Sequence, residues 1–119
     1  MVQFGIAASP PETSKWDKPI VDDPVIIPNK QWTVTYATAG ADTRTTQLFI
    51  NTVDNTQLDD MGFSPFGIVT SGYNTVLSIY NPTPDNSNGV NQEEYTRLGN
   101  DWILKKYPEI SMITSSSIL

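Results

Sequence analysis

The strongest constraint on this chain's fold is an alternation that occurs twice within about twenty residues. Gln31-Trp32-Thr33-Val34-Thr35-Tyr36-Ala37-Thr38 alternates apolar and polar and is rich in β-branched residues, which predicts a strand. Ala39-Gly40-Ala41-Asp42 follows as a turn, and residues 45–52 form a second strand. Side chains alternate across a strand, so Leu48 and Ile50 share one face while Gln47, Phe49 and Asn51 share the other. If Leu48 and Ile50 face the core, Phe49 sits between two amides on the side turned to water. Such a ring is either an ordinary core aromatic or the wall of a binding groove.

Other residues limit the chemistry. The chain has 119 residues, enough for one domain with a modest core. With 7 basic and 13 acidic residues its net charge is −6, which disfavours nucleic acid and anionic membrane surfaces as partners. Cys and His are both absent. Disulfides, thiolate metal sites, cysteine nucleophiles and the usual base near neutral pH are thereby excluded. What remains is binding, or a reaction that needs no ionising catalyst. No apolar run reaches the ~20 residues of a membrane span. Met1-Val2-Gln3-Phe4-Gly5-Ile6 lacks the basic start and apolar length of a signal peptide.

The rest of the chain divides as follows. Residues 1–6 resemble a short strand. Residues 7–30, with Ser9-Pro10-Pro11, Lys18-Pro19 and Asp23-Pro24, read as a long surface loop anchored by Trp16. Phe66 to Thr70 is a further strand. Val76, Leu77 and Tyr80 lie on one helical face that Asn81-Pro82 ends. A second helix starts at Gln92 and runs through Tyr95, Leu98 and Trp102, with Glu93 and Glu94 near its start and Lys105 and Lys106 near its end. Ile110 to Ile113 reads as a last strand. The class is therefore mostly β with two short helices, in one domain over residues 1–119. Asp59-Asp60 reads as a turn, because two carboxylates with no third ligand hold no metal.

Three stretches together resemble the cyclophilins, a family of peptidyl-prolyl cis-trans isomerases. Met1-Val2-Gln3-Phe4-Gly5 is similar to a family strand with Met-x-Gln before a glycine. Tyr36-Ala37-Thr38-Ala39-Gly40, with Thr46-Gln47-Leu48-Phe49-Ile50, is similar to the family's alanine–glycine turn and its Gln-Phe-Phe-Ile strand. Leu58-Asp59, then Phe66-Gly67-Ile68-Val69, look like the segments preceding the family's short helix. The insertion around Lys15-Trp16 to Pro24 and Met61-Gly62-Phe63 look like a divergent, microbial-type subgroup.

The resemblance implies a cyclophilin-like β-barrel acting on X-Pro bonds in proline-containing peptides and unfolded clients, with no cofactor. It implies Phe49 as the wall of the proline pocket and Gln47 as a bond to the substrate backbone. Met1, Leu58 and Phe63 would line the same pocket, with Gln3 as a polar neighbour. Ala37 and Thr38 would meet an extended peptide. Family members also carry a catalytic arginine just before the position of Met1, and a pocket phenylalanine next to it; this chain has neither. The family's first strands and first helix are absent too, so the barrel is expected to be incomplete. Thr38 replaces the family's usual asparagine, and Phe63 stands near a family histidine. Gln57 occupies the place of a tryptophan that contacts cyclosporin, so weak cyclosporin binding is expected. The chain is expected to be a soluble monomer, cytoplasmic by default, with a leader ahead of Met1 left open. A proline-peptide binding module without turnover, or an inactive fragment, are the alternatives.

Overall fold

The structure is a computed structural model that describes residues 1–119. Four short strands form one antiparallel sheet: β1 (Val2–Phe4), β2 (Thr33–Tyr36), β3 (Leu48–Ile50) and β4 (Pro65–Ile68). Their order is β1-β3-β2-β4, so β1 and β4 are open edges and the sheet does not close into a barrel. Gln3 and Thr35 both stand opposite Phe49, which puts one residue from each of three strands in a row. Around the sheet lie α1 (Pro10–Trp16), α2 (Tyr73–Leu77), α3 (Gln92–Leu98), α4 (Asn100–Lys106) and a 3₁₀ helix over Thr56–Met61. No helix is long and apolar enough to cross a membrane.

The helices outnumber the two expected, for identifiable reasons. Pro10 and Pro11 occupy the first turn of α1, where a missing N–H costs nothing and the fixed φ favours the helix. The same prolines had suggested loop. The expected helix from Gln92 is two helices, because Gly99 adopts φ +65° and breaks it. A Cβ at Gly99 would lie 2.5 Å from the carbonyl oxygen of Ala8, so the break lets the segment after β1 pack against the helix pair. Residues 110–113 are not a strand and pair with none of the four strands, although they share a groove with the open edge of β1. Trp16 does not anchor the 7–30 segment: its side chain is 59% exposed. That task falls to Arg44. Its guanidinium sits 3.1 Å from carboxylate oxygens of both Asp22 and Asp23, bonds the Val21 carbonyl and lies over the Tyr36 ring. The contact from Nε to Asp22 is an ion pair whose angle misses hydrogen-bond geometry.

The two faces of β3 are reversed from the simple expectation. Phe49 is 2% exposed, whereas Leu48 and Ile50 are only half-buried. The ring is buried because the 3₁₀ helix and the loop before β2 fold over its face. Those segments are held by polar groups, not by apolar ones. Asn29, Thr35 and Asn51 are fully buried there and Thr33 nearly so. Buried polar groups of this kind are stable only when hydrogen-bonded, and these are. Besides Phe49, the buried apolar side chains are Pro65 on β4 and Ile103 on α4.

Candidate functional site

Beside the Phe49 ring lies a cleft of about 410 Å³, and it gathers all eight residues singled out from the sequence. Met1 and Gln3 reach it from β1, Gln47 and Phe49 from β3 and the residues leading into it. Ala37 and Thr38 enter from the end of β2, and Leu58 and Phe63 from the 3₁₀ helix and the residues after it. Phe49 belongs to the lining although it is only 2% exposed, so it forms the floor beneath the cleft. Phe63 meets it edge-on, with ring centroids 5.8 Å apart at 70°, a favourable arrangement for two aromatic quadrupoles.

The polar rim follows from strand register. Gln3 pairs with Phe49, so its side chain lies diagonal to that of Gln47 on the same face. The Gln3 amide Nε2 donates to Oε1 of Gln47 at 2.9 Å. That bond leaves the Gln47 NH₂ and the Gln3 carbonyl oxygen free to meet a ligand backbone. The Ala37 N–H is committed to the Gln47 carbonyl at 2.9 Å, which ties the end of β2 to the residues before β3. Thr38 does not reach out as a simple donor: its hydroxyl bonds the Gly40 carbonyl and lies 2.9 Å from the Thr43 hydroxyl, closing the turn.

Sequence reading missed four lining residues: Ala39, Thr43, Thr45 and Gln92. The first three flank residues already chosen and could have been found by their nearness. Gln92, at the start of α3, comes from a distant part of the chain and carries no local signal. Gln57 lies outside the cleft lining, exposed, with its amide 3.3 Å from Asn55 Oδ1. Asp59 serves as an acceptor for Asn29.

Every side chain lining the cleft is uncharged. Arg44 is committed to Asp22 and Asp23 outside it. The site therefore offers an aromatic floor, apolar walls and amide and hydroxyl groups, a combination suited to an uncharged peptide segment. A larger groove of about 800 Å³ adjoins it along β1 and the loops at 79–90 and 110–113, sharing Met1, Gln3, Gln47 and Gln92.

No curated protein matches the chain at a significant level. A family model does, over residues 1–100; its description is "Cyclophilin type peptidyl-prolyl cis-trans isomerase/CLD". The open antiparallel sheet with its few short helices is consistent with that family's fold. The matched range takes in all four strands and all twelve cleft residues and accounts for most of the chain, which therefore belongs to the cyclophilin-type peptidyl-prolyl cis-trans isomerases.

Proposed function

We propose that the cleft seats the pyrrolidine ring of an X-Pro peptide on Phe49, and that the chain acts on such bonds during the folding of client proteins. The observation that carries this is the placement of the Phe49 ring as the floor of a cleft, beside the free amide of Gln47. Rotation about a peptide bond meets a barrier of about 20 kcal/mol because of amide resonance. X-Pro bonds nonetheless populate both isomers and exchange slowly. A catalyst needs no covalent step. It must hold the ring, anchor a flanking carbonyl or N–H, and bind the twisted amide better than either planar form. Phe49, Phe63, Leu58 and Met1 hold the ring. Gln47 anchors the backbone, kept in orientation by Gln3.

A second reading has its own support. No side chain lining the cleft is cationic, and Arg44, whose guanidinium could steady the twisted amide's nitrogen, is held elsewhere. This arrangement favours binding over turnover, so the chain is also a proline-peptide binding module. Cyclosporin binds weakly, since Gln57 presents no aromatic surface. Two assays on this chain separate the readings. Titration with a capped Ala-Pro peptide, followed by NMR, is expected to show saturable binding. A protease-coupled isomerisation assay is expected to show slow turnover. Fast turnover would refute the binding-module reading, and absence of both signals would remove the proline cleft itself.

A further inference from the structure

We infer that Asn29 is a positioning residue of this cleft: its single side chain sets the distance between the Leu58–Phe63 wall and the Phe49 floor. The inference rests on the reading of the cleft as a proline seat. Asn29 precedes β2 and is fully buried. Its Nδ2 donates to Asp59 Oδ1 at 2.7 Å and to the Phe63 carbonyl at 2.8 Å. Its backbone N–H donates to the same Asp59 oxygen at 2.8 Å. On its other side, Oδ1 accepts from the Thr35 hydroxyl at 2.9 Å and from Asn51 Nδ2 at 3.1 Å. Thr35 stands opposite Phe49 in the sheet, and Asn51 lies two residues beyond Phe49 on its face. Its backbone carbonyl accepts from the Asn55 N–H at 2.8 Å, just before the 3₁₀ helix.

One amide thus joins the strands that carry the floor to the segment that carries the wall. The wall is also tied by the Asn55 Nδ2 bond to Asn51 Oδ1 at 2.8 Å and by the edge-on Phe63 ring, but only Asn29 bonds both Asp59 and the Phe63 backbone. Leu58 and Phe63 are half-buried, and the 3₁₀ helix has no buried residue of its own. Every donor and acceptor of Asn29 is used, so no other natural side chain fits without leaving a buried group unpaired. Asn29 touches no ligand; it acts through Asp59 and Phe63.

The test uses Asn29→Asp and Asn29→Ala in the full chain, with a capped, non-titrating Ala-Pro peptide. In Asn29→Asp an acceptor replaces Nδ2, facing Asp59 Oδ1 and the Phe63 carbonyl. Two carboxylates at that distance repel when both are ionised, and protonation of one restores a hydrogen bond between them. Asp59 is the one titratable group bonded to position 29; Lys30 and Asp54, paired at 3.0 Å, flank it. Affinity of Asn29→Asp is expected to fall about tenfold at pH 7.5, the loss of one to two charge-assisted bonds, and to recover as one carboxyl protonates toward pH 5. The native chain is expected to keep a flat profile over that range. Asn29→Ala is expected to bind about tenfold more weakly at every pH. Wall placement is read without peptide, from the nuclear Overhauser contact between the Phe49 and Phe63 rings, present in the native chain and lost in Asn29→Ala. Variants that keep this contact and native affinity overturn the inference. So does an Asn29→Asp chain that folds at no pH, since Asn29 is then required for folding itself. A native chain with the ring contact but no peptide binding refutes the proline reading and leaves the wall placement standing.

Discussion

Replacing Phe49 with alanine separates a ligand seat from a core residue, because another buried apolar side chain, Ile103, lies away from the cleft and serves as the control. Core Phe→Ala changes cost about 3–5 kcal/mol. The low end applies here, about 3 kcal/mol, because the ring underlies a cleft and the space left on its removal can hydrate from it. A pyrrolidine seated on the ring hides about 80 Å² of apolar surface, or about 2 kcal/mol at 25 cal/mol per Å². Losing that seat weakens Kd about thirtyfold. Ile103→Ala supplies the comparison: it costs about 2–4 kcal/mol of stability yet leaves the seat intact. Denaturant unfolding gives the stability of both variants, and peptide titration well below their midpoints gives affinity. Both variants should lose stability, and only Phe49→Ala should lose affinity. Equal loss of affinity in the two would mean that binding follows global stability, and the seat would be refuted.

Three further changes probe other parts of the account. Gly5→Ala places a Cβ 2.3 Å from the Thr46 carbonyl at a φ of +118°, so it should push β1 off β3, cost about 2–3 kcal/mol and weaken peptide binding through Met1 and Gln3; native stability in the variant would show that β1 is not seated this closely. Burial raises the Tyr95 phenol above its ordinary value of 10.0, and the hydroxyl donates to Asn100 Oδ1 at 3.1 Å. Its contribution to stability is therefore complete below about pH 10 and lost as pH rises through the folded pKa; the unfolding free energy from pH 8 to 11 should fall more steeply in the native chain than in Tyr95→Phe, and parallel curves would contradict this. Gln57→Trp should raise cyclosporin affinity, measured by calorimetry, and an unchanged value would refute the explanation of weak drug binding.

Local pattern made part of this molecule legible. Period-two alternation located β2 and β3, and with them the shared face of Gln47 and Phe49. The resemblance extended that face to Met1, Gln3, Ala37, Thr38, Leu58 and Phe63, and the structure brings all of them to one cleft. What could not be read depends on contacts between distant residues. Asn29 and Asp59 look like loop residues in the sequence and Asn51 like a solvated strand residue, yet hydrogen bonds join all three. A face carrying Asn and Thr reads as solvated, and only the completed hydrogen-bond set makes it a buried one. The turn signal of Pro10-Pro11 fits a loop as well as the first turn of α1. The break at Gly99 depends on the Ala8 carbonyl packing against it, about ninety residues away.

The most direct test is a set of intermolecular nuclear Overhauser contacts from the proline ring of a bound Ala-Pro peptide. The account predicts contacts from its γ and δ protons to the rings of Phe49 and Phe63. Contacts confined to the neighbouring groove at 79–90 and 110–113, with none to Phe49, would contradict it.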